Sequence, residues 1–109
     1  MRRKSSELRK GALELVVLTL LARSPRYGGQ IVEALSTRPG LELSAGTLYP
    51  LLNRLRGGGL VECEWRESPV GPPRKYYALT RKGRAAQQEL VRQWNELTGA
   101  VSALVEDET

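Results

Sequence analysis

The stretch of sequence that decides the fold is Ser-Ala-Gly-Thr-Leu-Tyr-Pro-Leu-Leu-Asn-Arg-Leu-Arg, at residues 44–56. Ser44 is a favourable N-cap, so a helix is predicted to start there and to end at the glycine run 57–59. At about 100° per residue, its leucines share one face: Leu48, Leu51, Leu52 and Leu55. The opposite face is small, polar and aromatic: Gly46, Tyr49, Pro50 and Asn53, flanked by Thr47 and Arg54. An outer face without Glu or Lys is unusual for solvent, which indicates a partner.

Two further helices are predicted before this one. The first covers about residues 7–23, and the second covers residues 27–36, with Ile31 and Leu35 facing inward. A Ser-Pro-Arg break at residues 24–26 separates them. The apolar arc of the first helix, which includes Leu8 and Leu15, is wider than a one-sided surface helix needs. Something besides the local core is therefore expected to cover it.

A β-hairpin is predicted after the glycine run. Residues 60–66 alternate Val61, Cys63 and Trp65 with charged residues, the period of a strand with one buried side. A second strand covers residues 75–79, with Tyr77 and Leu79 inward. A Pro/Gly loop with basic residues only at its far end joins the two strands.

The last predicted helix covers about residues 81–105, with Thr80 as its cap. Its large apolar residues step by four and three, the spacing of a short heptad seam: Leu90, Trp94, Leu97, Val101 and Leu104. We expect this seam to mediate dimerisation, together with Leu8 and Leu15 of the first helix.

Length and charge bound the function. The chain of 109 residues allows one domain, and no separate catalytic domain fits beside a binding domain. Residues 1–79 carry 13 basic and 7 acidic side chains, a net charge of +6, whereas residues 80–109 carry 4 and 5, a net charge of −1. This division is typical of a nucleic-acid reader with a partner-binding helix, although a merely soluble surface has the same balance.

The missing residue types argue against catalysis. The chain has no His, and Asp107 is its only Asp, so His-based nucleophile systems, His-based zinc sites and Asp-rich calcium or magnesium loops are excluded. No enzyme activity, cofactor or metal is expected.

The sequence also bears on the compartment of the protein. Cys63 is the single cysteine, so no intrachain disulfide can form, which fits a reducing cytoplasm. The basic start and the apolar residues 12–22 superficially resemble a secretory signal, but eleven residues interrupted by Glu14 and Thr19 fall short of the roughly 20 that span a bilayer. No membrane partner is expected.

The order of elements predicts a mainly α fold with a small β-hairpin, a winged helix-turn-helix followed by a long C-terminal dimerisation helix. Residues 1–79 are expected to form the DNA-binding part and residues 80–109 the dimerisation helix, within one compact unit. In such folds the second helix of the pair enters the major groove. The predicted DNA contacts of this helix are therefore Ser44, Thr47, Tyr49, Pro50, Asn53 and Arg54. Three basic residues are predicted to contact backbone phosphates: Arg74 and Lys75 of the hairpin, and Lys10 of the first helix.

The same residues resemble a known family. The motifs are Leu-Arg-Lys-Gly at 8–11, Tyr-Gly at 27–28, Gly-Thr-Leu-Tyr-Pro-Leu-Leu-Asn-Arg-Leu at 46–55, Gly-Leu-Val-Glu at 59–62, and Pro-Pro-Arg-Lys-Tyr-Tyr-Ala-Leu-Thr-Arg-Lys-Gly at 72–83. They closely resemble the PadR family of bacterial transcriptional regulators, over about residues 8–95. Tyr27 joins the predicted DNA-binding set through this resemblance. The chain departs from the family pattern at residues 56–59 and at Gly29, which leaves the ends of the second and third helices open.

The resemblance implies a homodimeric winged-helix repressor that binds a pseudo-palindrome and acts in the bacterial cytoplasm, associated with the nucleoid. It also implies that the last helix crosses to its twin and packs on the first helix. In some relatives an aromatic residue matching Trp94 stacks on flat apolar drugs between the subunits. Trp94 is thus either the largest residue of the seam or a contact for a planar aromatic small molecule. The alternative function is a winged-helix protein–protein interaction module that binds no DNA.

Overall fold

A computed structural model describes the backbone of residues 2–107 and the side chains of residue 9 and residues 11–107. The described elements follow the order α1 (Arg2–Arg23), β1 (Arg26–Tyr27), α2 (Gly28–Ser36), α3 (Ala45–Gly57), β2 (Val61–Arg66), β3 (Arg74–Leu79) and α4 (Arg81–Asp107). Helices dominate, with one small sheet and a long C-terminal helix. The predicted fold class, a winged helix-turn-helix with a C-terminal helix, is confirmed.

The core forms where the first three helices and the hairpin meet. All four leucines of the predicted inner face of α3 are buried, and so are Ile31 and Leu35 of α2. Val17, Leu18 and Leu21 of α1 pack with them, each at most 1% exposed. Each fully buried side chain of this size stabilises the fold by roughly 1.5–3 kcal/mol. The core therefore holds the outer face of α3 in a defined position.

The sheet has three strands rather than the two that were predicted. Its order is β1-β3-β2, all antiparallel, and β1 pairs with β3 through Arg26 with Tyr77 and Tyr27 with Tyr76. Tyr27 had been expected to begin the second helix, whereas it lies in β1 and precedes α2. A strand of two residues is too short to show alternation, and it forms because β3 offers it a free edge.

The glycine run ends α3 as predicted, and the geometry shows how. The Leu60 N–H donates to the Leu55 carbonyl at 2.9 Å, and the Gly59 N–H donates to the Arg56 carbonyl at 3.0 Å. Gly59 has φ of +77°, so this is a Schellman motif with glycine in the left-handed position. The motif turns the chain from α3 directly into β2.

Helix boundaries differ from the prediction at both ends of the chain. The first helix begins at Arg2 rather than near residue 7, because no Pro or Gly interrupts the residues before it. The last helix reaches Asp107, two residues beyond the predicted end. Pro50 lies inside α3 without shifting its start, since Ser44 remains the N-cap. The carbonyl that Pro50 leaves unpaired belongs to exposed Gly46, where water can satisfy it.

The first half of α4 is held against the rest of the fold by side-chain hydrogen bonds. The Thr80 hydroxyl accepts a hydrogen bond from the Gly83 N–H at 3.0 Å and donates to the Gly59 carbonyl at 2.6 Å. Farther along, the Gln87 amide donates to the Thr19 hydroxyl of α1 at 3.1 Å. From Trp94 onward the large apolar side chains of α4 are exposed, so this half of the helix does not pack on the core of its own chain.

Candidate nucleic-acid interface

The N-terminal turn of α3 is exposed and open. The Ser44 hydroxyl accepts the Thr47 N–H at 3.2 Å, so Ser44 is engaged as the predicted cap. Thr47 and Gly46 are exposed beside it. The amides of the first helical residues, Ala45 and Gly46, have no acceptor within the helix. Small side chains leave these N–H groups accessible to an anion such as phosphate.

Tyr49 links the two helices of the helix-turn-helix. Its ring lies against Gly28 at the start of α2, where an added Cβ would be 2.1 Å from the Tyr49 hydroxyl oxygen. Only glycine leaves room for the ring, which explains why residue 28 is glycine. Tyr49 remains 43% exposed. It therefore both spaces the helices and presents part of its ring outward.

The remaining predicted residues of α3 divide between its two sides. Asn53 and Pro50 are exposed, and Asn53 faces the hairpin. Arg54 points the other way, toward α1, where its guanidinium lies 3.5 Å from the Glu14 carboxylate. Both side chains are partly in water, so this ion pair is weak and orients Arg54 more than it immobilises it.

The hairpin β2–β3, hereafter the wing, separates its two basic residues. Successive strand residues point to opposite faces. Lys75 lies on the face of Tyr77, its ammonium 5.8 Å from that ring, and borders α3. Arg74 lies on the other face, where it donates to the Tyr27 hydroxyl at 2.9 Å and stacks 4.5 Å above the Tyr27 ring. The two cations thus lie on opposite faces of the wing, at the end nearest its connecting loop.

A stack of cations and rings attaches the wing to β1. Arg66 lies 4.4 Å over the Tyr76 ring, and Tyr76 meets Tyr27 edge to face at 5.4 Å. Arg74 completes the series on Tyr27. Such contacts each contribute roughly 0.5–1.5 kcal/mol. Sequence patterns could not reveal this stack, because it depends on the pairing of β1 with β3.

A groove opens between α3 and the wing. It contains aromatic, basic and amide side chains and no carboxylate: Tyr27, Gly28, Tyr49, Asn53, Trp65, Pro73, Arg74, Lys75 and Tyr77. Five of the predicted DNA-binding residues line it. The prediction that Trp65 is buried was wrong, since 68% of it is exposed. The end of β2 runs past the core, so the inward face of the strand has nothing left to pack against.

Tyr77 is a buried residue that lines the groove, and its phenol is neutral. Burial raises the pKa of Tyr77, the nearby Cys63 and Tyr49 raise it further, and Arg56 acts in the opposite direction. Tyr77 is only 3% exposed. The phenol therefore stays protonated and uncharged at physiological pH, and it adds no negative charge to the groove.

The seam of α4 is largely uncovered within one chain. Trp94, Leu97, Val101 and Leu104 are 47–63% exposed, whereas Leu90 is partly buried against the core. Trp94 borders a second, apolar groove on α1, together with Leu15, Val16 and Leu20. Two predicted side chains lie outside the described residues: Leu8, predicted for dimerisation, and Lys10, predicted for DNA binding.

Between residues 2 and 107, none of the helices is long and apolar enough to cross a membrane. Among the side chains that the structure describes, those of residue 9 and residues 11–107, no group of three Cys, Asp or Glu is placed to hold a metal ion.

Comparison with known proteins agrees with this architecture. Residues 17–89 match the model of the transcriptional regulator PadR-like family. A transcriptional regulator from Mycobacterium tuberculosis is 38% identical over 95 residues, which cover 87% of each chain. The crystal structure of a PadR family transcriptional regulator from Eggerthella lenta superposes with a TM-score of 0.82 at 41% identity, covering 92% of this chain and 87% of that one. A PadR-like transcriptional regulator from Bacillus cereus gives 0.83 at 32% identity, covering 92% and 97%.

These matches span most of the chain, from α1 into α4, and include the helix-turn-helix, the wing and the start of the last helix. The family consists of transcriptional regulators and not of enzymes. The chain belongs to the PadR-like family of transcriptional regulators.

Proposed function

We propose that the protein binds double-stranded DNA through α3 and the wing. The observation that carries the proposal is the groove between them, which is exposed, contains Arg74 and Lys75 and has no carboxylate among its lining residues. A polyanion is the natural complement of such a surface. The outer face of α3 is exposed on the same side, as DNA insertion requires.

The predicted contacts take different roles in this proposal. Thr47 and Asn53 read base edges in the major groove, where Asn pairs bidentately with adenine, and Pro50 packs against a thymine methyl. Ser44 acts through the cap, by keeping the first turn of α3 in place. Arg54, Lys75 and Arg74 contact the backbone, with Lys10 near the start of α1. Tyr27 acts by holding Arg74, and Tyr49 by spacing the two helices and bordering the groove.

We further propose that the protein is a homodimer, with residues 1–79 as the DNA-binding part and residues 80–109 as the dimerisation helix. Four exposed apolar residues in helical register on α4 are costly in water, and the apolar groove on α1 offers them a complement. Leu8, Leu15 and Leu90 would extend this contact. A two-fold dimer places two α3 helices about 34 Å apart and matches a pseudo-palindromic operator. Occupying such an operator blocks polymerase, so we propose repression, on the bacterial nucleoid in the cytoplasm.

A flat aromatic molecule is the proposed releasing ligand. Trp94 is about half exposed and borders the apolar groove on α1, so a planar ring could stack on it. Planar aromatic compounds should quench tryptophan emission in the wild type and in Trp65→Ala, but not in Trp94→Ala. If the compounds quenched Trp94→Ala as strongly as wild type, the proposed ligand contact with Trp94 would be refuted.

Fluorescence anisotropy of labelled duplex DNA from the protein's own upstream region, in a salt series, tests the main proposal. If about six to ten phosphates are neutralised, affinity should fall by roughly 10³- to 10⁵-fold between about 50 and 200 mM salt. Asn53→Ala should weaken binding by about 1–3 kcal/mol. Gln88→Ala, an exposed amide on α4, is the matched control and should bind normally. A chain that binds no duplex at low salt would instead support the protein–protein module.

A further inference from the structure

We propose that Trp65 is a DNA-contacting residue. Its indole would lie against the sugar–phosphate backbone that passes between α3 and the wing. The inference rests on the proposed DNA binding, and it adds a residue that sequence patterns assigned to the core.

The first observation is the exposure of Trp65. Along β2 the inward face changes from buried Val61, 2% exposed, through half-buried Cys63 to Trp65, 68% exposed. All three residues share one side of the strand. Trp65 therefore continues the face that packs on the core, but at a point where α3 no longer covers it.

The second observation is the charge around the indole. Trp65 pairs directly with Lys75 across the two strands, and both line the groove with Asn53. The carboxylates of β2, Glu62 and Glu64, project from the other face of the strand. The indole thus lies beside one cation, Lys75, and one amide, Asn53, and the acids of its own strand project from the opposite face.

These surroundings favour a nucleic-acid backbone over another apolar surface. A deoxyribose offers an apolar face to the ring, and the neighbouring phosphate offers an acceptor for the indole N–H and an anion for Lys75. In the docking that we propose, α3 lies in the major groove and the strand bordering that groove passes through the groove between α3 and the wing. Contacts of this kind do not depend on sequence, so Trp65 should strengthen binding to any duplex.

Tryptophan accessibility tests the contact directly. The chain has two tryptophans, so the Trp65→Phe variant reports Trp94 alone, and its difference from wild type reports Trp65. A mixed-sequence duplex of about 30 base pairs at low salt is the probe, and anisotropy of the labelled duplex shows when binding saturates. Saturating DNA should reduce acrylamide quenching of the wild-type emission several-fold more than that of Trp65→Phe. Equal protection of both proteins would overturn the proposal.

The salt dependence of affinity separates Trp65 from its charged neighbour. Trp65→Ala should bind the same duplex about three- to tenfold more weakly at every salt concentration, as expected when one aromatic contact is lost. Because no charge is removed, the slope of log affinity against log salt should stay as in wild type. Lys75→Ala should instead reduce that slope by about one. Wild-type affinity in Trp65→Ala would refute the contact.

The outcomes distinguish this inference from the function on which it rests. A wild-type protein that saturates the duplex while Trp65 stays accessible refutes the contact and keeps DNA binding. A wild-type protein that binds no duplex refutes both. Protection of Trp65 that depends on protein concentration without DNA would mean that the groove meets a second copy of the chain, which also overturns the proposal.

Discussion

Gly83→Ala is expected to destabilise the protein by about 2 kcal/mol. Gly83 lies in the first turn of α4 and is buried against the chain between α3 and β2. A Cβ built there would be 2.0 Å from the Leu60 carbonyl oxygen and 2.9 Å from its carbonyl carbon. Real Cβ contacts stay beyond about 3.0 Å, so one of the two backbone segments must move by about 1 Å.

The neighbouring hydrogen bonds oppose this movement. The Leu60 carbonyl accepts the Thr80 N–H at 3.1 Å, and the Leu60 N–H belongs to the Schellman motif that ends α3. Overpacking of a well-packed site costs about 1–3 kcal/mol, and a backbone clash belongs at the upper end. Alanine in a helix gains back about 0.5–1 kcal/mol relative to glycine. The net loss is therefore about 2 kcal/mol.

Urea denaturation followed by circular dichroism measures the loss. At a slope of about 1–2 kcal/mol per molar urea, the midpoint should fall by about 1–2 M. Protein concentration must be held constant, because the apparent stability of the proposed dimer would depend on it. Gly99→Ala is the control in the same helix: nothing lies within 4 Å of its added Cβ, so the midpoint should rise slightly. An unchanged midpoint for Gly83→Ala would refute the steric argument.

Three further predictions concern the site. Ser44→Ala removes the side-chain acceptor of the Thr47 N–H and should cost about 1 kcal/mol in urea denaturation, and an unchanged midpoint would mean that the cap contributes nothing. Gly28→Ala should push the Tyr49 ring outward, weakening DNA binding by about 1–2 kcal/mol in anisotropy; wild-type affinity would contradict the spacing role. Burial raises the pKa of Tyr77 in the folded state, so its contribution to stability is complete below about pH 10 and is lost as pH rises through the folded pKa. As pH rises above about 10, the urea midpoint of Tyr77→Phe should therefore fall less than that of wild type. Midpoints that fall in parallel with pH in the two proteins would contradict this reasoning.

The elements of the fold could be predicted because their causes are local in sequence. The leucine spacing of α3, the cap at Ser44 and the glycine run after Arg56 each determine a feature within a few residues, and the structure confirms all three. The alternation that buries Tyr77 and Leu79 is equally local. The motifs that carry the family resemblance are also continuous segments, so the family was predictable from them.

The errors arose where distant segments meet. β1 exists only because β3 offers it an edge, and neither segment shows that pairing in its own pattern. Trp65 follows the buried alternation of its strand but is exposed, because the buried core does not extend to that position and Trp65 borders the open groove beside α3. The alternation of a strand predicts which face of the sheet a side chain is on, whereas its burial depends on whether another element packs against that face.

By itself, the sequence determined the helices, the wing, the outward face of α3 and the apolar seam of α4, since each follows from periodicity, capping and turn chemistry along a short stretch. Only the tertiary structure decided which residues share the groove, why Gly28 must be glycine beneath Tyr49, and that Arg74 and Lys75 take opposite faces of the wing. Those facts depend on distances between segments far apart in the chain, and packing of the whole core sets such distances.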